Sequence, residues 1–338
     1  MKVLITGAGG RIGSRLTRSL LSEGHHVRAF GLDTDPQLER FASEGIEVVT
    51  GDLEEPASLR GIARGVDAVC HLAAALTTHD VADDRFVDVN LRGTFNLLEV
   101  VRAEAPDLGR FIYTSSDAVY WPGGVARSTY LPVDEAHPRT PGSVYGATKV
   151  GAEELCRAYW HSYGVPSVVM RPTATAEPAE LIDPASVFAR RWFVAPAIRW
   201  LTSRPRLTPG EEELLGRLRE VDDGRPRLFA LVAPDGTSSL SMIGHAEDAA
   251  QGMRAMLEPT EAIGEAFNIG PAAPHADREM VAALGVALGL EVTEIRSSAT
   301  RPSWYISSGK ARGVLGYQPR WTVFDMIEHA VDPEGSTR

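Results

Sequence analysis

The chain is short of the residues that hold a fold together covalently or through a metal. It has 2 cysteines in 338 residues, Cys70 in a predicted strand and Cys156 in a predicted helix. Without Cys-x-x-Cys spacing they form neither a zinc site nor a redox pair, so two reduced, buried thiols and no metal are expected. Positive charge is in deficit as well: 34 Lys and Arg stand against 45 Asp and Glu, a net charge of −11. That balance disfavours nucleic acid or an anionic membrane surface as partner, although a local arginine cluster can still hold a small anion. No apolar run is long enough to span a bilayer. Residues 2–5 already read as a first strand, so no signal peptide is expected and the cytoplasm is the expected location.

What is present is an ordinary globular composition, 43% hydrophobic and 23% charged, in a chain long enough for one large domain and a smaller one. Apolar, β-branched runs fall at 2–6, 26–30, 46–50, 67–71, 110–114 and 166–171. Helical patterns separate them, the clearest at 11–23, 84–104 and 145–163. Strands that are apolar throughout and alternate with helices predict a parallel sheet covered on both faces, a doubly wound α/β domain over 1–172. Residues 173–338 then form a smaller α/β substrate-binding region. Its strand-like runs lie at 228–232 and 266–269, with helices at 247–257 and 310–317. An insertion at about 177–227, rich in Pro, Arg and Trp, interrupts the rhythm.

The first strand runs into Thr6-Gly7-Ala8-Gly9-Gly10-Arg11-Ile12-Gly13 and then a helix. Gly7, Gly10 and Gly13 permit a tight turn, close approach to a pyrophosphate, and close packing of helix on strand. Arg11 and Ile12 open the helix, whose free N–H groups face the phosphates. A dinucleotide is the expected ligand, because the motif sits between strand and helix. The ribose reader belongs about 20 residues later, at Gly31-Leu32-Asp33. No Lys or Arg occurs at 31–35 to hold a 2′-phosphate, so Asp33 and NAD are preferred over NADP. Asp52 and Leu53, after the third strand, are placed to bracket adenine, with a helix cap as the other reading of Asp52.

Tyr145 and Lys149 share one face of a helix at spacing i, i+4. A free Tyr, with pKa about 10, is a poor base, but a neighbouring ammonium stabilises its phenolate. Ser116, closing the fifth strand, can hydrogen-bond a reacting oxygen. Together they form a general acid/base relay.

With these motifs on the page, the chain resembles the extended short-chain dehydrogenase/reductases, the NAD-dependent epimerase/dehydratase family. The glycine loop, Asp52-Leu53, His71-Leu72-Ala73-Ala74, Asn90, Ser116, Tyr145, Lys149 and Arg171-Pro172 carry the resemblance. It implies a Rossmann fold, an NAD-dependent oxidoreductase or epimerase acting on a secondary hydroxyl of a carbohydrate-like molecule, and a substrate-binding C-terminal half. It also implies that Leu72, Ala73, Ala74 and Pro172 line the cofactor, that Lys149 binds the nicotinamide ribose, and that Asn90 supports a water network. A homodimer through helices 84–104 and 145–163 is implied in the same way.

The chain departs from the family where substrate class is written. Sugar dehydratases carry a carboxylate before Val-Tyr, and this chain has Ala118 there, leaving Asp117 as the nearest acid. Nucleotide-sugar enzymes carry an Asn and an Arg where this chain has Ala174 and Ser241. A nucleotide-sugar 4-epimerase and a non-catalytic dinucleotide sensor are the alternatives. Asp117 and Thr173 are expected to meet substrate. The insertion stretch from Val187 to Leu201 reads as a lid with Arg191 and Trp192 on substrate, as a packing helix broken near Pro196, or as a membrane-surface helix.

Overall fold

The computed structural model describes residues 1–76, 82–123 and 126–334. Its longer strands are β1 (Lys2–Thr6), β2 (His26–Gly31), β3 (Glu47–Thr50), β4 (Ala68–His71), β5 (Arg110–Thr114), β6 (Ser167–Pro172), β7 (Leu228–Val232), β8 (Ala266–Ile269) and β9 (Val292–Arg296). Seven of them make one parallel sheet in the order β8-β6-β5-β4-β1-β2-β3. The alternation of side chains along β1 explains how it is covered. Val3 and Ile5 join Leu16, Leu20 and Met253 on one face, while Leu4 joins Val69, Phe111 and Leu97 on the other. The strand order reverses between β1 and β4, so their carboxyl ends open the crevice where ligands of such sheets bind.

Helix α1 (Arg11–Ser22) follows the glycine loop, and α2 (Pro36–Ser43) is capped by Asp35, whose carboxylate accepts from Gln37 N–H at 3.0 Å. The helix predicted over 84–104 is helical throughout but changes its winding. A π-helical stretch, Phe86–Arg92, precedes α3 (Gly93–Glu104), and such widened turns gather at functional sites. Helix α4 (Val144–Tyr163) carries the Tyr/Lys pair and ends at Gly164, whose φ of 73° closes it in the left-handed region.

The Rossmann layers are not confined to residues 1–172. Strand β8 extends the sheet beside β6, and α7 (Ala246–Ala255) packs on α1. Between them the chain builds α5 (Val194–Ser203), α6 (Pro209–Val221) and a smaller parallel pair, β7 with β9. Pro196 does not break a helix, contrary to the sequence reading. Phe193 is extended (φ −93°, ψ 131°), α5 starts after it, and Pro196 sits in the first turn, where its missing N–H costs no bond. Among the described residues no helix is long and apolar enough to cross a membrane, and no acidic, His and Cys side chains cluster to hold a metal.

Candidate active site

The glycine loop is shaped by two close approaches. Gly7 has φ +67°, and a Cβ on it would stand 2.7 Å from Ala73 N. A Cβ on Gly13 would stand 2.3 Å from the Gly7 carbonyl oxygen, so α1 could not begin where it does. Gly10 caps α1 without a side-chain bond and no acid occupies its first turn, which leaves the positive helix end free for an anion. Two buried hydroxyls beside the same crevice, Thr114 Oγ1 and Thr173 Oγ1, have no partner among the described residues. A cradle with no side chains, an uncapped helix and orphaned hydroxyls fit a dinucleotide.

The crevice, about 380 Å³, is lined by Gly7, Gly10, Arg11, Ile12, Gly13, Leu72 and Ala74 at one end. Ser116, Asp117, Tyr145, Lys149, Pro172, Thr173 and Arg191 line the other. Five residues expected at the cofactor, Asp33, Asp52, Leu53, Ala73 and Asn90, are not part of this lining. Asp33 is exposed beyond the end of β2, because the chain turns there with Asp35 N–H bonded to Leu32 O at 3.1 Å. The acid that faces the loop is Asp35, with Oδ2 2.0 Å from where a Cβ on Gly9 would be. Asp52 caps its own turn, accepting from Glu54 N–H at 3.0 Å, and Leu53 is buried in the core under Gly93. Ala73 packs on Gly7 and donates its N–H to Thr6 Oγ1 at 3.3 Å. Asn90 spends its side chain on both backbone groups of Ala75, at 2.8 and 3.1 Å, and so clamps the chain leaving β4.

The Ser/Tyr/Lys group is assembled by a helix that comes unusually close to a turn. Ser116, two residues past the end of β5, is in extended conformation and its Oγ accepts from Ala118 N–H at 3.1 Å, capping the short turn Asp117–Val119. A Cβ on Gly146 would lie 2.6 Å from the Ala118 carbonyl oxygen, so glycine after Tyr145 lets α4 touch that turn. Ser143 caps α4 by accepting from Gly146 N–H at 3.1 Å. Phe86 from the π-helical stretch meets the Tyr145 ring edge-on, centroids 5.7 Å apart.

Electrostatics here is dominated by burial. Desolvation pushes the Tyr145 phenol up to about 12, while the neighbouring Ser116 hydroxyl works against that rise. Desolvation pulls Lys149 down to about 7, and Glu153 one turn on opposes it. Lys149 Nζ donates to Thr114 O at 2.9 Å and stands 5.8 Å from the Tyr145 ring centroid. Glu153 is itself held by Arg171 at 2.6 and 2.8 Å, by the Ser115 hydroxyl at 2.6 Å and by Arg139 at 2.9 Å. This buried network fixes the helix turn beneath Lys149.

Past Ser116 the crevice continues into a cavity of about 360 Å³, the two sharing Asp117, Ala118, Ala174, Arg190 and Arg191. Asp117 is held on both oxygens, by Ser116 Oγ at 3.3 Å and by Trp304 Nε1 at 3.1 Å. Trp192, expected on substrate, is 1% exposed, donates Nε1–H to Leu181 O at 3.1 Å and stacks on Phe188. It is a packing residue whose edge reaches the cavity wall. The partly buried Trp200, on α5, lines the cavity between the guanidiniums of Arg190 and Arg204, each 5.1 Å from its ring. Sequence reasoning missed Arg190, Asp277, Arg301 and Trp304 as cavity residues. Arg190 beside Arg191 was a usable signal, but the others come from distant segments with no local pattern. Ser241 donates its hydroxyl to Asp277 and lies 3.2 Å from His275 Nε2.

Comparisons with known proteins show the family and the fold. The profile of the NAD dependent epimerase/dehydratase family matches residues 3–270. A 2-alkyl-3-oxoalkanoate reductase of Stenotrophomonas maltophilia is 29% identical over 86% of this chain and 76% of its own. A dTDP-glucose 4,6-dehydratase of an Actinoplanes species is 28% identical over 98% of this chain and 97% of its own. A short-chain dehydrogenase/reductase superfamily protein from Agrobacterium tumefaciens, solved with bound NAD, superposes with a TM-score of 0.85 at 30% identity, covering 98% and 96% of the two chains.

Proposed function

The chain belongs to the NAD-dependent epimerase/dehydratase family, enzymes of the extended short-chain type, and from that premise we propose that it oxidises, reduces or epimerises a secondary hydroxyl of a carbohydrate-like small molecule through Ser116, Tyr145 and Lys149. The observation that carries this reading is the position of Tyr145. It lines the glycine-loop crevice together with Ser116 and with Asp117 and Ala118, through which the crevice opens into the cavity, and Lys149 Nζ stands 5.8 Å from its ring centroid.

Bound NAD supplies the hydride acceptor and donor. Gly7, Gly10, Arg11, Ile12 and Gly13 would hold its diphosphate, and Lys149 its nicotinamide ribose. Ser116 Oγ receives and orients the substrate oxygen. Tyr145 Oη takes the hydroxyl proton as the carbonyl forms and returns it in the reverse direction. Lys149, when charged, stabilises the phenolate that burial alone disfavours. Asp35 at the loop, with no cation beside it at 31–34, supports NAD over NADP.

Ala118 at the cavity wall weighs against sugar dehydration, because no carboxylate stands there for a second proton transfer. Ala174 and Ser241 weigh against a nucleotide-sugar 4-epimerase proper. The assembled Ser/Tyr/Lys group weighs against a non-catalytic sensor. A homodimer through α3 and α4 belongs to the same reading, supported by exposed Phe95 and Tyr163 on those helices. Two buried free thiols suit a reducing compartment such as the cytoplasm.

The test is Tyr145→Phe, with substrate turnover followed by reduced-nicotinamide absorbance or product analysis. Turnover should fall by about 10²–10⁴ while NAD affinity stays nearly unchanged. A variant within tenfold of the parent removes Tyr145 from the chemistry.

A further inference from the structure

The charged side chains facing the cavity beyond Ser116 are few and unevenly satisfied. Arg190, Arg191 and Arg301 line it, and no acidic side chain among the described residues comes within 4.0 Å of any of their guanidinium nitrogens. More than a third of Arg191 is open, and it lines both this cavity and the cofactor crevice. Arg190 and Arg191 are near enough to Arg301 for the three charges to oppose one another. Asp117 and Asp277 attract Arg191 without pairing with it, so these guanidiniums stay desolvated with no ion pair, a cost that a bound anion relieves.

The sign and size of the remaining charge narrow the anion. Asp117 and Asp277 also line the cavity, and Glu211 is neutralised by its ion pair with Arg204. Three arginines against two aspartates leave one positive charge, which a single carboxylate balances and a diphosphate overshoots. Two carboxyls in the same wall repel a multiply charged phosphate more than a monoanion. The volume agrees, since about 360 Å³ lies at the low end for ligand cavities, roughly 300–1,000 Å³. Ser241, standing where nucleotide-sugar enzymes carry Arg, gives its hydroxyl to Asp277 and adds no cation.

We propose that Arg191 and Arg301 bind a carboxylate carried by the substrate, so that the enzyme takes small hydroxy acids, sugar acids foremost, in preference to neutral sugars and nucleotide sugars. Arg190 adds its charge from the wall, stacked on Trp200. This inference rests on the oxidoreductase or epimerase reading, with the reacting hydroxyl at Ser116 and Tyr145 and the acid group deeper in the cavity. Asp277 and Ser241 remain as acceptors for further hydroxyls.

Titration calorimetry on the NAD-loaded protein tests it independently of turnover. The probes are D-glucuronate against D-glucose, 3-hydroxyhexanoate against 2-hexanol, and UDP-glucose. At least one acid should bind about tenfold or more tighter than its neutral partner and tighter than UDP-glucose. Arg301→Gln and Arg191→Gln should each weaken that acid by about tenfold to a hundredfold, and Arg301→Gln, which lies outside the cofactor crevice, should leave the melting temperature and NAD affinity near the parent values. Arg301→Lys, keeping charge without the fork, should restore part of the loss. Equal binding of acid and neutral partners, binding of no acid, or preference for UDP-glucose overturns the carboxylate site. An acid that binds as described but is never turned over leaves the site standing and overturns the catalytic reading instead.

Discussion

Arg11 and Glu180 are joined by two charge-assisted hydrogen bonds, of 2.6 and 2.5 Å, at the edge of the cofactor crevice. One turn along α1, Arg15 grips Glu177 in the same way at 3.1 and 2.8 Å. The segment that follows β6 is thereby fastened to the helix whose N-terminus faces the diphosphate. Glu180 also neutralises the one guanidinium that opens that helix. Glu180→Gln should free Arg11 for the diphosphate and tighten NAD binding by roughly threefold to tenfold, while Arg11→Gln weakens it. Fluorescence titration of both variants checks this. Weaker NAD binding in Glu180→Gln would show instead that the pair serves to hold the segment in place.

Cofactor preference should answer to Asp35 and not to Asp33. Asp35→Ala is expected to improve NADP relative to NAD by about tenfold, through lost repulsion of the 2′-phosphate, and to cost roughly 1 kcal/mol through the lost cap on α2. Asp33→Ala, at an exposed position, should leave the ratio unchanged. Titrating both cofactors against both variants decides it, and the reverse pattern would restore Asp33 as the ribose reader.

The contrast between these two aspartates shows where the sequence was legible. The glycine loop and the Tyr145/Lys149 pair were readable because their requirements are local: a positive φ at Gly7, absent side chains, one helix face. The strands of the large sheet were readable for the same reason, as short apolar runs between helices. Asp35 was not, because a turn of a few residues after Gly31 decides which acid faces the loop. Asn90 resembled a site residue in sequence, yet the π-helical register aims it at the Ala75 backbone. Arg301 and Asp277 were invisible, since only the folded chain brings them to a cavity begun by Asp117.

Trp192 and Trp200 looked equivalent in sequence, each beside an arginine, and the structure separates them. Trp192→Ala should cost about 3–5 kcal/mol in unfolding free energy, the range for a buried Trp truncated to Ala. Trp200→Ala should cost much less and chiefly raise KM, because its ring faces the cavity between two guanidiniums. Denaturant melts and steady-state kinetics on both variants check the split. A large stability loss in Trp200→Ala with unchanged KM would make α5 a packing element alone.

Lys149 should leave a mark on stability in the cofactor-free protein. Its folded pKa is pulled from 10.5 to about 7, so between those values the unfolded chain binds more protons than the folded one. Stability from this group therefore rises with pH across about 7 to 10.5, and is flat below and above. The slope is at most about 1.4 kcal/mol per pH unit. Lys149→Met should remove that slope and be more stable than the parent near neutral pH, as judged by the difference between their urea midpoints over pH. Identical pH dependence in parent and variant would mean that Lys149 keeps its charge without cofactor.

The cavity beyond Ser116 is walled by stretches as far apart in the chain as Asp117 and Trp304, with residues of α5, α6, β7 and α8 (Asp277–Leu288) between them. Its specificity is therefore a distributed property, owned by no single loop. Grafting one segment from a relative would set a new residue against old neighbours that still fit the former ligand. Redirecting this enzyme to another substrate calls for libraries that vary positions from several of these stretches at once.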